Sequence, residues 1–334
     1  MKRPWLAPLT PLYAAGLAVR NLSIEHGWEM VRRLRCPVIS IGNLSTGGSG
    51  KTPLTIALGQ ALTNRGLRVD VLSRGYGRRS QLPVRVDPAG AAEEFGDEPL
   101  LIARQTGLPV FVARQRYDAG LLAEAEAPDS KQSTVHLLDD GFQHRQLHRD
   151  IDILLLDSRD GRDSLLPAGN LREPLKAARR ATVIAIPAKD DAPKLEAALR
   201  DWGFVGPIWR LRRTMVVPSV DGPVAAFCGI ARPEQFFTGL EAAGVQLVER
   251  LAFPDHHQYT PANLGRLATE ARDAGASAFI TTEKDQVRLG AVSTTFPESL
   301  PLKTASLRIE IENKDAAIEW LVERLTPATH HPPL

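Results

Sequence analysis

The sequence predicts an α/β fold: a mostly parallel sheet flanked by helices, a smaller α/β lobe toward the C-terminus, and an amphipathic helix ahead of both. Three observations lead there. Short apolar runs alternate with segments of helical periodicity, the pattern of parallel strands joined by helical crossovers. The run Val38, Ile39 and Ile41 is followed at once by Ser45-Thr46-Gly47-Gly48-Ser49-Gly50, and Lys51-Thr52 then open an apolar-periodic stretch from Leu54 to Leu62. Strand, glycine turn, Lys-Thr and helix in that order make a P-loop, in which backbone N–H groups and the helix N-terminus surround phosphate oxygens. Finally, an extended, arginine-bearing connector from Ile208 to Val217 ends in a proline-bounded break at 218–223, after which the alternation starts again.

The chain has 334 residues, room for two compact domains, and a formal net charge of +2, too balanced for a nucleic-acid binder as a whole. Cys36 and Cys228 lack CxxC spacing, which points to a reduced compartment. No apolar run approaches the length of a membrane span. The expected division is 1–36 as an N-terminal helix, 37–218 as the phosphate-loop core and 219–334 as the smaller lobe.

Taken in order, Thr10-Pro11 reads as a helix start. Leu12, Tyr13, Leu17, Ala18, Leu22 and Ile24 share a face, and Lys2, Arg3, Arg20, Arg32, Arg33 and Arg35 bias the segment positive. Two readings stay open: an interfacial helix on anionic lipid, or a helix packed on the protein's own core. In the phosphate loop, Ser45 stands where the usual pattern asks for glycine; Lys51 would reach the β/γ-phosphates and Thr52 would hold Mg²⁺. The strand Val69 to Leu72 runs into Ser73-Arg74-Gly75-Tyr76-Gly77-Arg78, either a loop approaching an anion or a plain surface loop. Asp97 in Gly96-Asp97-Glu98-Pro99 reads first as a helix N-cap. Arg114, Arg116 and Tyr117 follow the strand Val110 to Val112, where ligand-facing residues collect in open α/β sheets; a solvated helix start is the equal alternative. The strand Val135 to Leu138 ends in Asp139-Asp140, the expected place for a Mg²⁺-holding carboxylate. Further strands are expected at Ile151 to Leu156, Ala181 to Ile186, Val224 to Cys228, Val245 to Phe253 and Ala278 to Thr281, with helices at Glu234 to Ala243 and from Thr260-Pro261 to Ala274. Asp255, His256 and His257 are contiguous, so their side chains diverge and do not converge on zinc; a histidine that manages a hydroxyl proton fits better. In Thr282-Glu283-Lys284-Asp285 the lysine is displaced by one residue from the guanine-reading pattern, so GTP is not inferred.

Together the stretches IGNLSTGGSGKTP, LSRGYGR, GDEP, DDGFQHRQLHRD, LPAGNLREP, FPDHHQYT and TTEKD resemble the tetraacyldisaccharide 4'-kinase family of lipid A biosynthesis, over the chain from the first helix to the C-terminal lobe. That resemblance implies an ATP- and Mg²⁺-dependent kinase, peripheral on the cytoplasmic face of the bacterial inner membrane. Its substrate would be the 4'-hydroxyl of a tetraacylated glucosamine disaccharide 1-phosphate. Its partners would be that lipid and an anionic membrane surface, with no nucleic acid, and the enzyme would be a monomer. Carried over by motif, Ser45 to Thr52, that is Ser45, Thr46, Gly47, Gly48, Ser49, Gly50, Lys51 and Thr52, would bind ATP, with Gln143 nearby; Thr52, Asp139 and Asp140 would hold the metal. Asp97 would take the hydroxyl proton, His256 would tune it, and Lys51, Arg116 and Arg172 would support the transferring phosphate. Asp97 and His256 are expected from different lobes, assembled by closure. Asn170 stands where the family leads one to expect proline, and Ala231-Arg232 where Gly-Asn is expected. The rivals are a nucleotide switch or metallochaperone ATPase of the variant-loop type, whose extra lysine would fall at Thr46, and a membrane scaffold without catalysis.

Overall fold

The computed structural model describes residues 3–127, 133–189 and 191–325. They form two compact units: unit 1 holds the described residues of Met1–Ser73, Gln115–Arg212 and Ile309–Leu334, unit 2 those of Arg74–Arg114 and Arg213–Arg308. In unit 1 a 3₁₀ turn, Pro4–Leu9, leads into α1 (Thr10–Glu25), β1 (Val38–Asn43), α2 (Lys51–Asn64) and β2 (Arg68–Ser73). Unit 2 takes β3 (Val84–Arg85), α3 (Ala92–Phe95), α4 (Asp97–Thr106) and β4 (Val110–Val112). Unit 1 resumes with α5 (Arg116–Ala125), β5 (Thr134–Asp139), β6 (Ile151–Leu155), β7 (Val183–Pro187) and α6 (Ala192–Asp201). β8 (Ile208–Val216) carries the chain into unit 2, where β9 (Val224–Cys228), α7 (Pro233–Ala242), β10 (Leu247–Ala252), α8 (Pro261–Asp273), β11 (Ala278–Thr282) and α9 (Glu283–Leu289) follow. β12 (Leu302–Ile311) returns it to α10 (Lys314–Leu325) in unit 1.

Unit 1 is built on parallel strands in the order β8-β7-β6-β1-β5-β2. Every residue of β1 is buried, as a central strand covered on both faces requires, which is why it reads as an apolar run rather than an alternation. Its neighbours β5 and β6 follow it in sequence and lie on opposite sides, so the chain leaving β1 enters α2 at the switch point where open α/β sheets bind ligands. Leu54, Leu58 and Leu62 recur at helical spacing on α2 and are fully buried. At Gly42 an added Cβ would lie 2.5 Å from Phe142 Cβ, so only glycine lets the fully buried Phe142 close over the end of β1.

The parallel strands of unit 2 run β10-β9-β11-β12, and β3 pairs antiparallel with β4. Its core is aromatic: Phe227 meets Tyr259 and Phe279 edge-on and stacks on Phe296. Thr260 caps α8 in a capping box with Asn263, and Pro261 occupies the first helical position, as the sequence predicts.

The division at 218/219 expected from sequence order differs from this arrangement. Residues 74–114 cluster with 213–308, because α4 packs on α9, and the last helix, α10, packs on α2 in unit 1. For α1, the structure buries only Ile24 and leaves Leu12, Val19 and Leu22 exposed, together with Trp5 ahead of the helix. The inward side is held by polar bonds: the Tyr13 hydroxyl donates to the Arg172 carbonyl at 2.9 Å, and Arg20 Nη2 to the Gln143 carbonyl at 2.6 Å. Packing on the protein's own core therefore accounts for little of its apolar surface. Among the described residues no helix is long and apolar enough to cross a membrane.

Candidate active site

In unit 1 the loop after β1 has the backbone its glycines imply. Gly47, Gly48 and Gly50 adopt φ of 73°, 61° and 93°, the left-handed region that glycine enters without Cβ strain. Ser45 needs no such freedom; it is buried and bridges to Leu171, while the Thr46 amide donates to the Asn170 carbonyl at 2.8 Å. Asn170, where proline is expected, uses what proline lacks: its N–H and side-chain amide both donate to the Asp163 carboxylate. Ser49 lies within the loop, and Thr52 is buried in the first turn of α2.

Lys51, nearly buried, places Nζ 3.0 Å from Asn43 Oδ1 and 3.5 Å from Asp140 Oδ1. Arg172 Nη1 donates to both Asp140 oxygens at 2.9 Å and to Gln143 Oε1 at 3.3 Å, while Gln143 Nε2 donates to the Asn43 carbonyl at 2.9 Å. Burial alone would push the Asp140 carboxyl up. The charges of Lys51 and Arg172 and the Arg172 hydrogen bond outweigh it and hold the group below its ordinary value, and Arg116, first residue of α5, adds to that field. Asp139 diverges from Asp140, as adjacent strand-end residues do: its Oδ1 accepts from Thr55 Oγ1 at 2.9 Å, and Asp140 turns away at φ 50°. A hydroxyl and two ionisable carboxylates at the mouth of a phosphate loop are a hard-oxygen donor set of the kind Mg²⁺ takes. Lys51, Arg172, Gln143, Asp140 and Arg116 are thus brought into one electrostatic group.

In unit 2, Asp97 opens α4 and His256 follows β10. The expectation that separate lobes supply them is corrected: both belong to one unit, and His256 Nδ1 lies 3.1 Å from Asp97 Oδ2. Nor is Asp97 simply an N-cap, although its Oδ1 accepts from the Glu98 amide at 3.0 Å. Arg288, buried on α9, donates through Nε at 2.8 Å and through Nη2 to the same Oδ2. Burial would raise the Asp97 carboxyl; the His256 hydrogen bond and the charges of Arg288 and Lys284 overcome it and hold the group far below the carboxylate range. The same hydrogen bond raises the His256 imidazole above its ordinary value, against burial. His256 sits at φ 61°, a conformation that costs ~1–3 kcal/mol for a non-glycine residue and aims its ring at Asp97 and at the exposed Tyr76, whose centroid is 5.1 Å away. His257 points elsewhere, stacking on Phe253 and meeting Asn263, so the Asp-His-His run diverges as the sequence predicts.

Sequence reasoning missed Arg288, Asn43 and Thr55. Arg288 follows Asp285 at the helical i, i+3 spacing, yet nothing in the sequence connects either to Asp97. Asp285 is the hub of the TTEKD run: its Oδ1 accepts from the Gly229 amide, the Tyr259 hydroxyl and Arg288 Nη1, while Thr282 caps α9. Lys284 pairs with Glu98. In the LSRGYGR loop, Arg78 is buried beneath Gly75 and its three guanidinium nitrogens make no hydrogen bond.

A family model described as tetraacyldisaccharide-1-P 4'-kinase matches residues 2–326. The tetraacyldisaccharide 4'-kinase of Koribacter versatilis is 41% identical over 327 residues, covering 95% of this chain and 97% of that protein. That of Chromobacterium violaceum is 38% identical over 330 residues, 96% and 93% of the two chains. Among solved structures, LpxK from Aquifex aeolicus in complex with ATP is similar, with a TM-score of 0.74, 32% identity and coverage of 96% of this chain and 98% of that one. By both sequence and fold, this chain belongs to the tetraacyldisaccharide-1-P 4'-kinase family.

Proposed function

We propose that the protein transfers the γ-phosphoryl group of ATP to the 4'-hydroxyl of a tetraacylated glucosamine disaccharide 1-phosphate, giving the bisphosphorylated lipid A precursor. The observation that carries this reading is the pairing of buried Asp97 with half-buried His256, with Arg288 behind it, in a chain that also holds a phosphate loop. A nucleotide switch activates water or waits for a partner; a sugar alcohol needs a placed group to take its proton near neutral pH. The loop amides and Lys51 bind the β/γ-phosphates, and Arg172 and Arg116 stabilise the oxygens of the phosphoryl group as the bond to the leaving β-oxygen breaks and the bond to O4' forms. Thr52, Asp139 and Asp140 would hold Mg²⁺, which when bound neutralises phosphate charge.

The family resemblance gives the hydroxyl proton to Asp97. The contacts of Asp97 favour a second assignment: a carboxylate held so far below its ordinary range is a poor base, whereas a histidine raised above its ordinary value is matched to neutral pH. In this assignment the neutral ring donates its Nδ1–H to Asp97, which orients it, His256 Nε2 accepts the hydroxyl proton, and Asp97 stabilises the imidazolium that results. The phosphate donor is held by residues of unit 1 and the proton acceptor by residues of unit 2. Arg78, with its guanidinium hydrogen bonds unmade, is available to an anionic group of a substrate. The exposed Leu12, Val19, Leu22 and Trp5, beside a positively charged N-terminal segment, fit peripheral binding to an anionic membrane, at the cytoplasmic face where ATP is available, by a monomer.

The test is transfer of labelled phosphate from ATP to the disaccharide 1-phosphate lipid in detergent micelles. Activity is expected for the wild type, with Lys51→Ala lowering kcat at saturating ATP and lipid by at least ~100-fold. ATP hydrolysis stimulated by a protein partner but indifferent to lipid would favour the switch. Tight ATP binding with no transfer to any glycolipid would favour the scaffold.

A further inference from the structure

Unit 1 carries a second group of ligating side chains, at the end of its strands opposite the phosphate loop. Cys36 lies just before β1, His136 is near the start of β5 where it faces Val38, and Glu124 closes the last turn of α5. One ligating atom from each of the three lies within 4.8 Å of the others. His136 is fully buried, yet neither ring nitrogen makes a hydrogen bond. Nε2 is 3.7 Å from Glu124 Oε1, and Nδ1 is 3.7 Å from Asp70 Oδ2. Such a length is too great for a hydrogen bond. It is close to the roughly 3.4–3.6 Å that separates two ligands of one tetrahedral ion.

We propose that Cys36, His136 and Glu124 form a binding site for a zinc-class divalent cation, with Asp70 as the carboxylate behind the histidine. An ion on Nε2 would engage a nitrogen whose burial otherwise costs ~1–3 kcal/mol, and Asp70 lies 3.7 Å from Nδ1, where closing by about 0.5 Å would let it accept the Nδ1 proton in the way that fixes metal-bound histidines. Glu124 is held in place for the ion: its Oε1 accepts from the Cys36 amide at 2.8 Å and its Oε2 from Arg35 Nε at 3.2 Å. Cys36 is partly exposed, which opens a path for the ion and for a water as fourth ligand. Thiolate, imidazole and one carboxylate select zinc or cobalt over magnesium, which keeps this site chemically distinct from Thr52, Asp139 and Asp140. The bound ion would pin β1, β5 and α5 to one another at the base of the sheet.

The experiment titrates Co²⁺ into the full chain, stripped with chelator and kept reduced, without nucleotide or Mg²⁺. A near-ultraviolet thiolate-to-cobalt band that saturates at one equivalent, with tetrahedral bands in the visible and loss of both on adding Zn²⁺, is the expected result. Cys36→Ala should abolish the band while keeping wild-type kinase turnover, which shows that the variant folds. Cys228→Ala should retain the band, and Asp70→Asn should weaken Co²⁺ binding by ~10–100-fold. Cobalt held by the oxygen ligands near the phosphate loop gives no thiolate band. A titration without that band overturns the proposal, and a band that survives Cys36→Ala overturns the assignment of the ligands.

Discussion

Replacing Asp97 by asparagine keeps the shape of the side chain and removes the charge that lies 3.1 Å from His256 Nδ1. In the wild type the Asp97 hydrogen bond comes first among the causes that raise His256 above its ordinary 6.5; burial opposes it, and the Asp97 charge adds to it. If His256 Nε2 accepts the proton, only the neutral ring is active, so kcat/KM rises with pH through the raised pKa and its acid limb lies above 6.5. An opposite charge at this range is worth ~1–3 pKa units, so Asp97→Asn should move the limb to lower pH by about that amount. Arg288, whose charge already lowers the His256 value, then faces only the Asp255 charge, which raises it, and reinforces the direction. The maximal rate should fall by ~10²–10⁴, because the ring loses the group that fixes its tautomer and stabilises its protonated form. The assay is the pH dependence of kcat/KM for phosphate transfer in micelles, for wild type, Asp97→Asn and His256→Gln. A wild-type profile with no limb above 6.5, together with an Asp97→Asn variant whose residual activity shows an unshifted limb, would refute the assignment and return the proton to Asp97.

Other outcomes follow from contacts away from the dyad. Gly42→Ala drives a methyl to 2.5 Å from Phe142 Cβ and 2.7 Å from its amide nitrogen, so overpacking should lower stability by ~1–3 kcal/mol in urea and weaken ATP binding; an unchanged midpoint would show that β1 and Phe142 separate freely. Glu124 has its carboxyl lowered from 4.5 to about 2, so its contribution to stability is present above pH 4.5 and lost as pH falls toward 2. In metal-free protein, Glu124→Gln should therefore be less stable than wild type at pH 7 but lose less on acidification, read as urea midpoints across that window. On α1, Leu12→Glu with Leu22→Glu should reduce co-sedimentation with vesicles containing anionic lipid while leaving thermal stability unchanged, since both side chains are exposed; a drop in melting temperature would instead place them in a protein contact.

Residues close in sequence, or repeating at a fixed period, announced themselves. The all-buried β1 reads as an apolar run, the positive-φ glycines as a Gly-rich turn, and Thr260-Pro261 as a helix start, because each follows from local sterics and hydrogen bonding. Asp139 and Asp140 were legible for the same reason: a strand end next to the phosphate loop fixes where its carboxylates fall.

What the sequence by itself determined is therefore the set of strands and helices, the phosphate loop and the list of chemically suited side chains. The tertiary structure alone decided who meets whom. It joined residues 74–114 to a unit formed mostly by 213–308, brought Asp97, His256 and Arg288 to one carboxylate oxygen, and set His136 between Asp70 and Glu124. Those contacts join residues as far apart as 191 in the chain, and a charge acts through space, so no local pattern records them. The protonation states that decide which group takes the proton are set by these long-range neighbours and by burial, and both exist only once the chain has folded.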